Sequence, residues 1–238
     1  MKFNYINNHI VIPIDTKNGI KNVVLDTGNP TFTVLNDETI NEISFCGVDF
    51  KLESNFMVNQ FRQMINWEQI SDLVQTEIHG FIGFDFLSNY NLIIDLKNNE
   101  IIISDDNDGF SLSEIDFFMN IPIIRMKIQD IEINAIFDTG AMYSIANTNY
   151  IKILINKNKT INEYNPMLGK FTANLFEGNI KIDDFVIENA VIACSPKYDS
   201  AMQMVQGKNI NGFLGISTLN DKIIFLSYKN KQLGLKNA

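Results

Sequence analysis

The sequence predicts a mainly β protein with few short helices, built as two similar halves related by an internal duplication. Three observations carry this. The triplet Asp-Thr-Gly occurs twice, as Asp26-Thr27-Gly28 and Asp138-Thr139-Gly140, 112 positions apart; Val23-Val24-Leu25 leads into the first copy and Ala135-Ile136-Phe137 into the second. A second glycine-bearing element also repeats, as Gly80-Phe81-Ile82-Gly83-Phe84 and Gly212-Phe213-Leu214-Gly215-Ile216. Between these landmarks the chain runs in short Val-, Ile- and Phe-rich stretches broken by Asn, Asp and Gly, the pattern of strands joined by turns.

The duplication extends through most of each half. After Gly83 and Gly215 the copies run without a gap, Leu87 with Leu219, Leu92 with Ile224, and Lys97-Asn98 with Lys229-Asn230, which places hairpin tips at Asn98-Asn99 and Lys229-Asn230. Upstream, Ile12-Pro13-Ile14 matches Ile121-Pro122-Ile123 at the start of a strand-like segment. The polar run Asp105-Asp106-Asn107-Asp108-Gly109 has turn chemistry, and without the spacing or closing Glu of a calcium loop it reads as a linker. The halves are therefore expected at 1–108 and 109–238. Helix is predicted around Trp67 to Leu73 and Thr148 to Leu154, with single turns near Phe86 to Tyr90 and Thr218 to Asn220. Trp67, Met64 and Ile70 fall at helical spacing, which indicates core contact.

Composition narrows the function. The 238 residues are 45% hydrophobic and carry a formal net charge of -9, so a nucleic acid would be repelled rather than gathered. The N-terminus lacks the apolar stretch of a signal peptide and no window is long and apolar enough to span a membrane, so the expected location is cytoplasmic, with no membrane partner. Cys46 and Cys194 stand in apolar settings far apart and read as free thiols. His9 and His79 lie apart from each other and from any ligand-spaced Cys pair, so no metal and no other cofactor is expected.

The chemistry is carried by the two aspartates. Each triplet ends an apolar strand, which presents its carboxylate at the end of a buried segment, and Gly28 and Gly140 let the backbone turn and aim N–H groups at it. Brought together by a twofold relation, Asp26 and Asp138 cannot both ionise. The pair holds one proton and supplies an acid and a base in one site. The ionised member takes a proton from water as it attacks a peptide carbonyl, and the protonated member donates to the developing oxyanion.

Through both Asp-Thr-Gly triplets and both apolar-apolar-Gly elements, Phe81-Ile82-Gly83 and Phe213-Leu214-Gly215, the chain resembles the aspartic peptidases of the retropepsin and pepsin clan. The resemblance implies two retropepsin-like lobes related by a pseudo-twofold axis, with Asp26 and Asp138 as the catalytic pair. It also implies a grip of cross-lobe hydrogen bonds from Thr27 and Thr139, with Ile82 and Leu214 supporting the two loops from below at the substrate-binding site. Retropepsins dimerise to form one site; this chain looks like that dimer joined covalently, and is expected to be a monomer.

Two departures qualify the match. After the triplets stand Asn29 and Ala141, where pepsin-like enzymes usually carry a hydroxyl; Ala141 resembles the viral type, while Asn29 either replaces the missing donor or marks a relaxed half. Without hydroxyl donors the dyad is expected to be less acidic than in pepsin-like enzymes. The second departure is length: Asp138 precedes Ile180 by 42 positions and Asp26 precedes Ile43 by 17, so about 25 residues are absent from the first half. The additional piece, roughly Asn156 to Gly178, is read as the only flap. It is carried by the second half, with Tyr164, Met167, Leu168 and Gly169 at its substrate-binding tip. The expected activity is an aspartic endopeptidase acting on extended polypeptide, with apolar side chains flanking the scissile bond; the rival is a catalytically inactive peptide-binding or scaffold protein on the same fold.

Overall fold

The computed structural model describes every residue except 166–167 and 205–208. Strands take up 52% of the chain and helix 17%, so the fold is mainly β. Each triplet sits in the same local topology. The strand Gly19–Leu25 forms a hairpin with His9–Thr16 and runs parallel to Gly80–Ile82, which pairs antiparallel with Val34–Leu35. In the second half Ile131–Asp138 forms a hairpin with Ile121–Ile128 and runs parallel to Ile210–Gly215, which pairs antiparallel with Ser144–Ala146. Because these strands are covered on both faces, they read as nearly continuous apolar runs, and Val23, Val24, Leu25, Ala135, Ile136 and Phe137 are all buried.

The repeated hairpins join the halves from beneath. Leu92–Asp95 with Glu100–Ile103, and Lys222–Ser227 with Gln232–Asn237, meet edge to edge through an antiparallel pairing from Leu92 opposite Leu226 to Asp95 opposite Ile223. Asn99 and Lys231 take positive φ at the two tips, the conformation that closes a tight hairpin. One core runs through both halves and includes Ile12, Leu25 and Ile94 with Ile124, Phe137 and Leu214. Fully burying a residue such as Phe137 contributes about 1.5–3 kcal/mol.

The halves differ between the triplet and the second glycine element. The second half carries a long hairpin, Ile155–Asn165 paired with Gly169–Ile182, followed by Phe185–Cys194. The first half has only the short hairpin Glu42–Phe45 with Val48–Lys51, then two helices, Phe56–Met64 and Trp67–Val74. The second helix matches the expected one, capped by Asn66 accepting from the Gln69 N–H. Trp67 stacks on Phe81 and Ile70 is buried, but Met64 is exposed and belongs to the preceding helix.

That first helix carries no expectation from sequence; its inward stripe is short, Val58 with half-buried Phe61 leading to Ile65. Phe56, Met57 and Met64 all face outward and only Val58 is buried. A helix at Pro196–Met204 is a further addition, and the segment near Thr148 is a 3-10 helix, Thr148–Ile153, capped by Asn147. The expected turns near Phe86 and Thr218 are the short helices Phe84–Leu87 and Ile216–Leu219. Among the described residues no helix is long and apolar enough to cross a membrane.

Candidate active site

Asp26 and Asp138 meet where the two strands end. The pair is joined by a side-chain hydrogen bond, with both carboxyls deep in the site. Each triplet glycine lies against the opposite half. A methyl group on Gly28 would come within 2.6 Å of the Asp138 carboxyl, and one on Gly140 within 2.8 Å of Asp26. Neither glycine adopts positive φ, so the position requires the absence of a side chain rather than an unusual turn.

Beneath the carboxyls the threonines are reciprocal. The Thr27 N–H donates to Thr139 Oγ1 at 3.1 Å and the Thr139 N–H to Thr27 Oγ1 at 2.9 Å. The Thr27 hydroxyl donates to the Phe137 carbonyl at 2.8 Å and the Thr139 hydroxyl to the Leu25 carbonyl at 2.7 Å. All four bonds are buried and cross between the halves, which fixes the separation of the strands that carry the acids.

Burial, then the charge of Asp138, push the Asp26 carboxyl up, to about 8, against the opposing N–H groups of Gly28 and Asn29. Burial also raises Asp138, opposed by the N–H groups of Gly140, Ala141 and Gly28 and by the hydrogen bond from Asp26. The Gly140 N–H lies 2.8 Å from Asp138 Oδ1. This asymmetry favours the proton on Asp26 and the charge on Asp138, with the two titrating as a unit.

A stability consequence follows with a definite sign. An acid with a raised pKa keeps its proton in the folded chain while the unfolded chain releases it, so Asp26 lowers stability progressively as pH climbs from about 4 to about 8. Replacing it with Asn removes that penalty. Asp26→Asn should therefore raise the melting temperature near pH 7.5, by about 2–4 °C for each kcal/mol relieved, and leave it unchanged near pH 4. Thermal unfolding at the two pH values checks this.

The remaining site residues of the sequence reading divide clearly. The Asn29 side chain does not donate to the dyad: its Nδ2 donates to the Phe32 carbonyl at 3.1 Å, and its Oδ1 accepts from the Thr31 N–H and hydroxyl. Its amide is spent on building the loop after Gly28. Ala141 contributes its N–H to Asp138. The Asn29 carbonyl accepts from the Phe84 N–H and the Ala141 carbonyl from the Ile216 N–H, so each loop is tied to its own second glycine element. Ile82 and Leu214 are wholly buried beneath these loops. That position excludes contact with a substrate and corrects their assignment as substrate-binding, while the Ile82 carbonyl accepts from the Asp26 N–H.

At the tip of the long hairpin, Met167 lies outside the described residues, and Leu168 and Tyr164 are half-buried. Gly169 takes φ of +71°, with no atom within 4 Å of where a methyl would sit. Tyr164 packs in the apolar cluster of the first half that includes Val11, Val24 and Ile70, so the hairpin reaches across from one half to the other.

Several residues of the site had no assignment from sequence. Thr33 Oγ1 accepts from the Gly83 N–H and donates to Asp85, and Ser144 Oγ accepts from the Gly215 N–H and meets Thr218 Oγ1 at 2.5 Å. These hydroxyls brace each triplet loop against its glycine element. Their signal was available, since Thr33 and Ser144 follow the two triplets at nearly equal distances. His9 is buried, with Nδ1 2.7 Å from the Asn7 carbonyl and a further hydrogen bond to the Gly140 backbone; burial lowers its pKa. It is a packed histidine that touches the loop of the opposite half. Among the described residues no cluster of His, Cys, Asp and Glu could hold a metal ion.

No family model matches the chain, and no curated protein matches it in sequence. Among solved structures it is similar to basic 7S globulin from soybean, with 98% of this chain and 92% of that one covered at 8% identity and a TM-score of 0.54. A shorter likeness, to the simian foamy virus (mac) protease, covers 41% of this chain and 90% of that one at 16% identity and a TM-score of 0.30. The globulin has a pepsin-like fold, so the fold of this chain is aspartic-protease-like across nearly its whole length.

Proposed function

We propose that this protein is an aspartic endopeptidase whose two lobes, residues 1–108 and 109–238, each supply one acid of a catalytic dyad within a single monomeric chain. The observation that carries the reading is the hydrogen-bonded pair Asp26 and Asp138, held by the reciprocal threonines and crowded by the opposite glycines. A structural turn has no need of two raised, mutually close acids from separate halves.

In the reaction a water between the carboxyls loses a proton to ionised Asp138 and attacks the peptide carbonyl, while protonated Asp26 donates to the carbonyl oxygen. The tetrahedral intermediate then breaks at the C–N bond as a proton returns to the leaving amine. The long hairpin acts as the single flap, excluding water and holding an extended substrate against the floor.

Incubation with an unfolded polypeptide between pH 3 and 9, with and without a pepstatin-type inhibitor, tests the reading. Cleavage should be inhibitor-sensitive and bell-shaped in pH, highest from mildly acidic to neutral, and lost above about 8 as Asp26 gives up its proton. A sharp optimum at strongly acidic pH contradicts the raised pair.

A second reading, a peptide-binding protein without turnover, draws on Asn29 and Ala141. With no side-chain hydroxyl donating at either position, the pair rests on backbone N–H groups alone. Saturable binding of a substrate-like peptide with no cleavage at any pH would favour it.

A further inference from the structure

Between the hairpin and the helix Trp67–Val74 lies a cavity of ≈ 580 Å³, lined by Asp72 and Leu73 from the helix, Glu163, Lys170 and Phe171 from the hairpin, and Met142, four residues beyond Asp138. Its volume is in the range of small-ligand sites. Met142 brings the segment after the Asp138 triplet into its wall, and Tyr198, the hydrogen-bond partner of Glu163, lies within electrostatic reach of Asp138.

Glu163 is the unusual member. It is only 8% exposed, in a protein whose other acids are nearly all at the surface, and Tyr198 is the hydrogen-bond partner that holds it. None of the ion pairs among the described residues includes Glu163, Asp72 or Lys170. A carboxyl buried with so little compensation is costly, and burial raises its pKa to about 7. A ligand that brought hydrogen-bond donors and positive charge to it would remove that cost. Leu73, Met142 and Phe171 can cover the methylenes of such a ligand and exposed Asp72 stands at the rim, while Lys170, the one cation of the lining, is exposed to solvent, where its charge is screened.

We propose that this cavity is a substrate side-chain pocket selective for Lys or Arg, with Glu163 as the residue that recognises the cation. The inference rests on the peptidase reading for its biological sense and adds to the expectation of apolar flanking residues one basic position.

The test uses matched peptides that differ only by Lys or Met, scanned through each position on either side of the scissile bond. In the wild type, kcat/KM at one position should favour Lys by about tenfold or more, the scale of a charge-assisted hydrogen bond. Glu163→Gln should bring that ratio toward one, and Asp72→Asn should lower it less. A ratio is read because a merely structural role of Glu163 would depress both peptides alike. Peptide affinities of the Asp26→Asn protein form a second arm that requires no hydrolysis: the same Lys preference in binding, lost on adding Glu163→Gln, supports the pocket even if the wild type cleaves nothing. Equal treatment of Lys and Met at every position in both arms, or a preference untouched by Glu163→Gln, overturns it.

Discussion

Asp26→Asn and Asp138→Asn will each lower kcat by about 10²- to 10⁴-fold, the scale of acid–base catalysis by a positioned group. The two effects will not add. Each acid works only through the proton it shares with the other, so once either is an amide the pair can no longer both take and give a proton. The double variant should be no slower than the worse single one. The roles differ even so: Asp26 carries the proton because burial and the charge of Asp138 both raise it, and Asp138 carries the charge because it collects N–H donors from Gly140, Ala141 and Gly28. Rates measured on one peptide at pH 6 for the four proteins check this, and a double variant much slower than either single one would show that the acids act separately.

Thr27→Val will have the largest effect on stability. Valine keeps the shape of the side chain but loses the oxygen that serves two buried partners, the Phe137 carbonyl and the Thr139 N–H. Each group left unsatisfied costs about 1–3 kcal/mol, so the loss is roughly 2–6 kcal/mol. Because those bonds set the separation of the strands carrying the acids, kcat should also fall, by about 10²-fold for a displacement of the order of an ångström. Thr27→Ser retains the hydroxyl and is the control. Denaturant unfolding of the pair measures the first effect, and single-turnover rates measure the second. Adding Thr139→Val to Thr27→Val should cost less than the sum of the single changes, since the two side chains form one network.

The parts of this molecule that were readable in the sequence are those where the chemistry demands the same residue twice. Asp26 and Asp138, Thr27 and Thr139, and Gly28 and Gly140 recur because each contact across the axis is reciprocal. The hairpin Ile155–Asn165 with Gly169–Ile182 was legible for a different reason, as an excess of length in one copy. Where the copies diverge, local pattern failed. The helix Phe56–Met64 carries exposed Phe56, Met57 and Met64 beside the inward Val58 and Phe61, so its apolar period is masked by large outward residues. Asn29 could be placed near the dyad from sequence, but the direction of its amide depends on the loop it closes with Phe32. The contact of Glu163 with Tyr198 joins residues far apart along the chain, and the burial that makes it notable exists only after folding. Ile82 and Leu214 could be placed near the triplet loops from sequence, but their full burial, which removes them from the substrate surface, exists only in the folded chain.

The most direct measurement of the central claim is a carbon-13 NMR titration of side-chain-labelled aspartate in the wild type, Asp26→Asn and Asp138→Asn. The account predicts two coupled carboxyl signals in the wild type, one still protonated at pH 6, and conversion of the survivor to a single, independent titration when either partner becomes Asn. Two aspartates ionising separately near the ordinary value of about 4 in the wild type would contradict it.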